Sequence, residues 1–203
     1  MLNLKGFLIK ILKHIRRYKG KDWDLISEEF YKILKSFINK KDRILEFGSN
    51  TGHISYRLAK EGYNLTLLDI RIESIEEAKR IFSENKIKAK FICCDILKHN
   101  NKYDFAWNSG LIQCYKDKEK KLLIRKIASI TDRMLLFYPD TEDVNKKRGK
   151  NKYNIPGVGD AKEYGIKRIV EITYIYFNKI YFGVIKKEKD GLDYDMYWLY
   201  AYK

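Results

Sequence analysis

The sequence predicts an α/β fold with a mostly parallel sheet, helices on both faces, N-terminal helices ahead of it and antiparallel strands at its end. Three observations predict it. Between Arg43 and Tyr138, short apolar runs alternate with segments of helical period, and that order implies right-handed crossovers and parallel strands. Before Arg43 the apolar residues recur only at helical spacing. After Gly165 the chain turns to runs rich in Tyr, Ile and Val, two of them separated by Lys189-Asp190-Gly191, a hairpin signal.

Leu4 to Tyr18 carries Phe7, Leu8, Ile11, Leu12 and Ile15 on one helical face, with Lys and Arg between them. Asp24 or Ser27 is the expected cap of a second helix, through Phe30, Leu34 and Ile38. The period then changes. Arg43 to Phe47 reads as a strand broken by Gly48. Thr51 or Gly52 opens a helix through Ile54, Leu58 and Ala59, and Gly62 closes it. Asn64 to Asp69 reads as a strand and Ile75 to Phe82 as a helix. Lys88 to Cys94 and Tyr103 to Trp107 read as strands ending at Asp95 and Asn108. A helix carries Leu122, Leu123, Ile127 and Ile130, and Met134 to Tyr138 is a strand stopped by Pro139. Ile169 to Phe177, Ile180 to Ile185 and Tyr194 to Tyr202 are the expected strands of the tail. Residues 1–40 read as a helical extension of one domain whose body is 41–203.

Composition narrows the function classes. The 203 residues suffice for one domain with a full core. No apolar run reaches the length of a membrane span, and the basic, interrupted N-terminus lacks a small-residue cleavage site. A cytoplasmic protein is expected. Cys93, Cys94 and Cys114 have the spacing of neither a zinc site nor a disulfide framework, so no metal is expected and buried thiols are. The net charge of +15 makes RNA a possible partner. The charges are spread along the chain, however, and abundant Lys with a single Gln suits a heat-adapted composition. The sequence does not give an oligomeric state. A basic loop, Lys146 to Lys152, has the composition of either a solvated loop or a lid.

The chemistry concentrates where strands meet loops. In Ile44-Leu-Glu-Phe-Gly-Ser-Asn-Thr-Gly52, a buried strand delivers the chain to a tight turn ahead of a helix N-terminus. Glu46, just inside the strand end, suits a ligand with positive charge. Asn50 stands where a second glycine is common, and Asn tolerates left-handed backbone better than most residues. Asp69 ends the second strand, where an acid can accept from ribose hydroxyls. Asp95 ends the third strand, in position for an adenine amino group, and Asn108 ends the fourth. Gln113 and Tyr115 after strand four, and Tyr138 and Asp140 after strand five, are the candidate catalytic residues.

On these residues, Arg43 to Asp140 resembles the S-adenosylmethionine (SAM) binding core of class I methyltransferases. Glu46, Gly48 and Gly52 match the family's first motif, Asp69 its second acidic position and Asp95 its third. Trp107 to Tyr115 is similar to the post-strand segment of small-molecule methyltransferases, without the His often found near Gln113 or Cys114. The Gly-Gly pair that often precedes strand five is replaced by Thr131-Asp132-Arg133. The resemblance implies a Rossmann-like, seven-stranded sheet with an antiparallel final hairpin. It implies SAM as cofactor, held by Glu46, Phe47, Gly48, Ser49, Asn50, Gly52, Asp69, Ile70, Asp95, Ile96 and Asn108. The expected activity is methyl transfer to a small molecule by in-line displacement. The alternatives are a methyltransferase acting on RNA or protein, and a non-catalytic SAM-binding or nicotinamide-binding domain. The Asn/Asp-Pro-Pro-aromatic motif of amino methylation is absent after strand four.

Overall fold

Glycines and apolar runs set the local structure, and the sheet assembles around β1, Arg43–Phe47, whose last four residues are buried. The computed structural model of the chain describes residues 21–139, 166–186 and 195–203, with helix residues 21–27 described by backbone alone. Helix α1 is Lys21–Phe37. After β1 follow α2 (His53–Lys60), β2 (Asn64–Asp69), α3 (Ile72–Glu84) and β3 (Lys90–Cys93). Then come a 3-10 turn at Ile96–Lys98, β4 (Phe105–Ser109), a second 3-10 turn at Ile112–Cys114, α4 (Asp117–Ile130) and β5 (Arg133–Pro139). Helix α5 (Ile166–Tyr174), β6 (Lys179–Ile185) and β7 (Met196–Tyr202) complete the described elements.

The described strands form a seven-stranded sheet in the order β3-β2-β1-β4-β5-β7-β6. Strands β1 to β5 pair in parallel, and β7 lies antiparallel between β5 and β6. This is the predicted Rossmann-like architecture with its antiparallel end. Strand order reverses between β1 and β4. At such a switch point the two following loops leave in opposite directions and open a crevice at the strands' C-terminal ends.

A parallel sheet is covered on both faces, so its strands are apolar throughout. Ile44, Leu65, Phe105 and Trp107 pack with Phe30 and Leu34 of α1, Ile54 and Leu58 of α2, and Ala78 and Phe82 of α3. Leu45, Phe47, Leu68, Ala106 and Leu136 face the other way, onto Leu123, Ile124 and Ile127 of α4 and Ile169 and Ile172 of α5. Phe30 stacks on Phe137 with ring centroids 4.2 Å apart, so α1 is part of the core. Gly62, at φ +87°, ends α2 as expected, with its N–H on Ala59 O at 3.0 Å and the Tyr63 N–H on Leu58 O at 3.2 Å.

Three local expectations change. Ile169–Phe177 was expected as a strand, but α5 covers its first part. Its apolar residues fall three apart, and Ile166, Ile169 and Ile172 make one helical face that the sheet buries, which outweighs their β propensity. Asp24 and Ser27 lie inside α1 rather than capping it, because the helix already runs at Lys21. Cys93 is exposed rather than buried, since β3 is an edge strand open on one side. The first helix, Leu4 to Tyr18, the basic loop Lys146 to Lys152 and the turn Lys189 to Gly191 lie outside the described residues. Among the described residues no helix is long and apolar enough to cross a membrane.

Candidate active site

The crevice at the switch point is built on backbone that few residue types accept. Gly48, Asn50 and Gly52 all have positive φ, at +64°, +50° and +70°. The Gly52 N–H closes a tight turn on Ser49 O at 2.9 Å, and the Ser49 N–H reaches Leu68 O at 3.0 Å. Space is short as well. A Cβ on Gly48 would lie 2.8 Å from Leu111 Cδ2, and one on Gly52 would lie 2.1 Å from Leu67 Cδ2. Asn50 therefore takes the left-handed position that a middle glycine would occupy, and the turn stays open to a ligand.

Asp69 ties this turn to β2. Its Oδ2 accepts from the Asn50 N–H at 2.8 Å. Its Oδ1 accepts from the Arg71 N–H at 2.9 Å and, at 3.4 Å, from Arg71 Nε. Each oxygen of a carboxylate has about two lone-pair sites, so Asp69 keeps capacity for further donors. Beside it Ile70, directly after the buried end of β2, is 66% exposed. Asp95 caps the first 3-10 turn, with Oδ1 accepting from the Leu97 N–H at 2.9 Å. Ile96 is buried beneath it.

Glu46 is the exceptional group. It is buried on the α2 face of the sheet, 6% exposed, and Oε2 has no hydrogen-bond partner. Burial pushes its pKa up to about 8; the Ser55 hydroxyl in the first turn of α2 draws it down, and the charge of Asp69 adds to the rise. Ser55 Oγ is itself buried outside hydrogen-bonding geometry.

The other predicted residues divide. Asn108 is engaged at both ends of its amide: Nδ2 donates to Phe47 O at 2.6 Å and Oδ1 accepts from the Leu111 N–H at 2.8 Å. It locks the end of β1 to the turn after β4, and so presses Leu111 against Gly48. The Phe47 ring lies in the core, leaving only backbone near the crevice. Gln113 keeps Oε1 buried without a partner, close to Gly110. The Tyr115 phenol is raised by burial and by the charges of Asp95, Glu119 and Asp69, together with Cys114. Those influences set Tyr115 near the ends of β2 and β3. Tyr138 is buried in the second core cluster beside Tyr197, 5.8 Å between centroids, rather than lying in a loop. Asp140 lies outside the described residues. Sequence reading missed Ser55, Arg71 and Leu111. Each follows a predicted residue by two or three positions, Ser55 after Gly52, Arg71 after Asp69 and Leu111 after Asn108, and that nearness was the available signal.

A family model described as a methyltransferase domain matches residues 38–172. The chain belongs to the methyltransferase domain family. With the family, the expectation of a SAM-dependent, class I enzyme is borne out. The described fold of this methyltransferase is also that of several solved structures. Magnesium protoporphyrin IX methyltransferase from Synechocystis PCC 6803, with bound SAH, superposes with a TM-score of 0.76 at 21% identity, over 96% of this chain and 94% of that one. A SAM-dependent methyltransferase from Methanosarcina mazei gives 0.69 at 22% identity, over 84% and 96%. A Pyrococcus horikoshii OT3 protein gives 0.74 at 14% identity, over 91% and 93%. A curated relative, carboxy-S-adenosyl-L-methionine synthase of Nautilia profundicola, is 28% identical over 138 residues. The match takes in 64% of this methyltransferase and 57% of the relative's length.

Proposed function

We propose that this methyltransferase acts on a small molecule and holds SAM across the C-terminal ends of β1, β2 and β3. One observation carries the placement: the buried, partnerless Glu46 oxygen beside a left-handed turn that excludes side chains. A group with a cationic amine and a bulky nucleoside fits those features. In this reading Glu46 accepts from the ligand's ammonium. The backbone of Gly48, Ser49, Asn50 and Gly52 approaches its amino-acid part. The spare lone pairs of Asp69 accept from the ribose hydroxyls, Ile70 offers its exposed aliphatic surface to the adenine, and the free oxygen of Asp95 accepts from the adenine amino group above Ile96. Asn108 acts indirectly, by holding the two turns together.

When bound, SAM supplies a methyl group already activated on sulfonium, so the protein's task is alignment and desolvation. Gln113 Oε1 is available to accept a hydrogen bond from the methyl acceptor. Tyr115, its phenol held protonated by burial and neighbouring acids, serves as a donor rather than a base at neutral pH. A second reading, RNA as acceptor, is favoured by one observation. Lys86, Lys88, Lys90 and Lys98 are exposed along the β3 edge and the segments that flank it. Lysines also protect sheet edges against pairing, so the small-molecule reading stands first. Salt-dependent tRNA binding would reverse that order.

Calorimetric titration with SAM tests the site. Glu46→Ala and Asp69→Ala are each expected to weaken binding by about 1–3 kcal/mol, through loss of a charged acceptor. Unchanged affinity in both variants would put the site elsewhere.

A further inference from the structure

We propose that Glu46 is a specificity-determining residue that trades a proton for the ligand's α-ammonium group, so that cofactor binding is coupled to proton release. The inference rests on the cofactor placement above and adds what the carboxyl does in the protein before and after binding.

The geometry isolates this carboxyl. Strand alternation turns Glu46 away from Leu45 and Phe47 and toward α2. Its sheet neighbours in register are Leu67 on β2 and Trp107 on β4. Leu67 is apolar, and the Trp107 Nε1–H is buried without a partner. Helix α2 contributes Ser55. The described carboxylates and cations of α1 and α2 are engaged elsewhere or exposed. Glu28 pairs with Arg57, Glu29 with Lys32 and Lys35 with Glu61 in surface ion pairs, while His53 and Lys60 are exposed. Beyond the strand end, Asp69 is the titratable group that acts on Glu46, and Arg71 beside it is bonded to Asp69. Among the described residues Glu46 thus has burial and a like charge against it and no cation for it.

A carboxyl in that setting keeps its proton at neutral pH, consistent with a pKa pushed up to about 8. An arriving ammonium supplies the missing counter-charge. The carboxyl O–H bond breaks and the proton passes to solvent. The ammonium keeps its three hydrogens and donates one to the freed oxygen. A ligand without an α-amino group gives nothing to offset the buried charge, so with it the carboxyl stays neutral. Discrimination therefore falls on the amine, which the cofactor and its demethylated product share, and not on the sulfonium.

The test is calorimetry on the full chain with S-adenosylhomocysteine and with 5′-methylthioadenosine, in buffers of different ionisation enthalpy between pH 6 and 7. In that range an α-amino group, with a pKa of about 8, stays protonated. S-adenosylhomocysteine is expected to release close to one proton and to bind about tenfold tighter for the one-unit rise in pH. 5′-Methylthioadenosine is expected to release none, and Glu46→Gln is expected to abolish the release with S-adenosylhomocysteine. Binding of S-adenosylhomocysteine without proton release overturns the proposal. So does equal release from 5′-methylthioadenosine or from the Glu46→Gln protein. If the Gln variant fails to fold, the two ligands on the unaltered protein still decide. If neither ligand binds, the cofactor placement fails instead.

Discussion

Replacing Gly52 by Ala tests the turn on which the site is built. Gly52 has φ +70°, and a Cβ there would sit 2.1 Å from Leu67 Cδ2, with Leu67 Cγ at 3.4 Å and Phe82 Cε2 at 3.6 Å behind it. A terminal methyl often moves aside, but Leu67 is fully buried in the core and has no space to take up. The left-handed backbone costs an alanine about 1–2 kcal/mol. Forcing a methyl into packed core adds about 1–3 kcal/mol. Gly52→Ala should therefore lose about 2–5 kcal/mol. Gly62→Ala is the control: φ is +87°, and no atom lies within 4 Å of its Cβ position. That variant should lose the backbone part alone, about 1–2 kcal/mol. Urea denaturation with an unchanged m-value measures both. Adding Leu67→Ala to Gly52→Ala should recover a coupling of about 1–3 kcal/mol. If Gly52→Ala costs no more than Gly62→Ala, the contact with Leu67 does not exist and the turn is packed differently.

Two further outcomes follow from the core and from Glu46. Phe30→Ala removes a ring that is 1% exposed and stacked on Phe137. It should cost about 3–5 kcal/mol, read as a lower urea midpoint, and a loss below 1 kcal/mol would mean that α1 is not part of the core. Glu46 has its folded pKa raised from 4.5 to about 8, so the folded state holds the extra proton between those values. Its contribution to stability is whole below about pH 4.5 and is lost as pH rises through 8. The ligand-free protein should therefore lose a few kcal/mol between pH 5 and pH 8.5, and Glu46→Gln should flatten that limb. Parallel pH profiles for the two proteins would refute it.

Much of the fold was legible because its signals are local. A positive φ needs Gly or Asn, which marked the turn at Gly48, Asn50 and Gly52 and the stop at Gly62. Short apolar runs alternating with segments of helical period marked β1, β2, β4 and β5 as parallel strands. Glu46, Asp69, Asp95 and Asn108 stood out because strand ends were visible as changes of period. The helix at Ile166–Tyr174 was not legible as such, since Ile, Val and Tyr favour strands until a sheet face presents itself to a three-residue spacing. Cys93 is exposed because of strand order, a property of the assembled sheet.

The sequence by itself determined the order of elements, the acids at the strand ends and, through them, the cofactor class. What only the tertiary structure decided is the state of each group. It joined Asp69 to the N–H of Asn50, nineteen residues away. It committed both ends of the Asn108 amide to holding two turns together, and it sank Tyr138 into the core. Above all it removed Glu46 from water without giving it a cation. Burial and pairing depend on which distant segments meet. A carboxylate read from a motif is only an acid at a strand end until the fold sets what surrounds it.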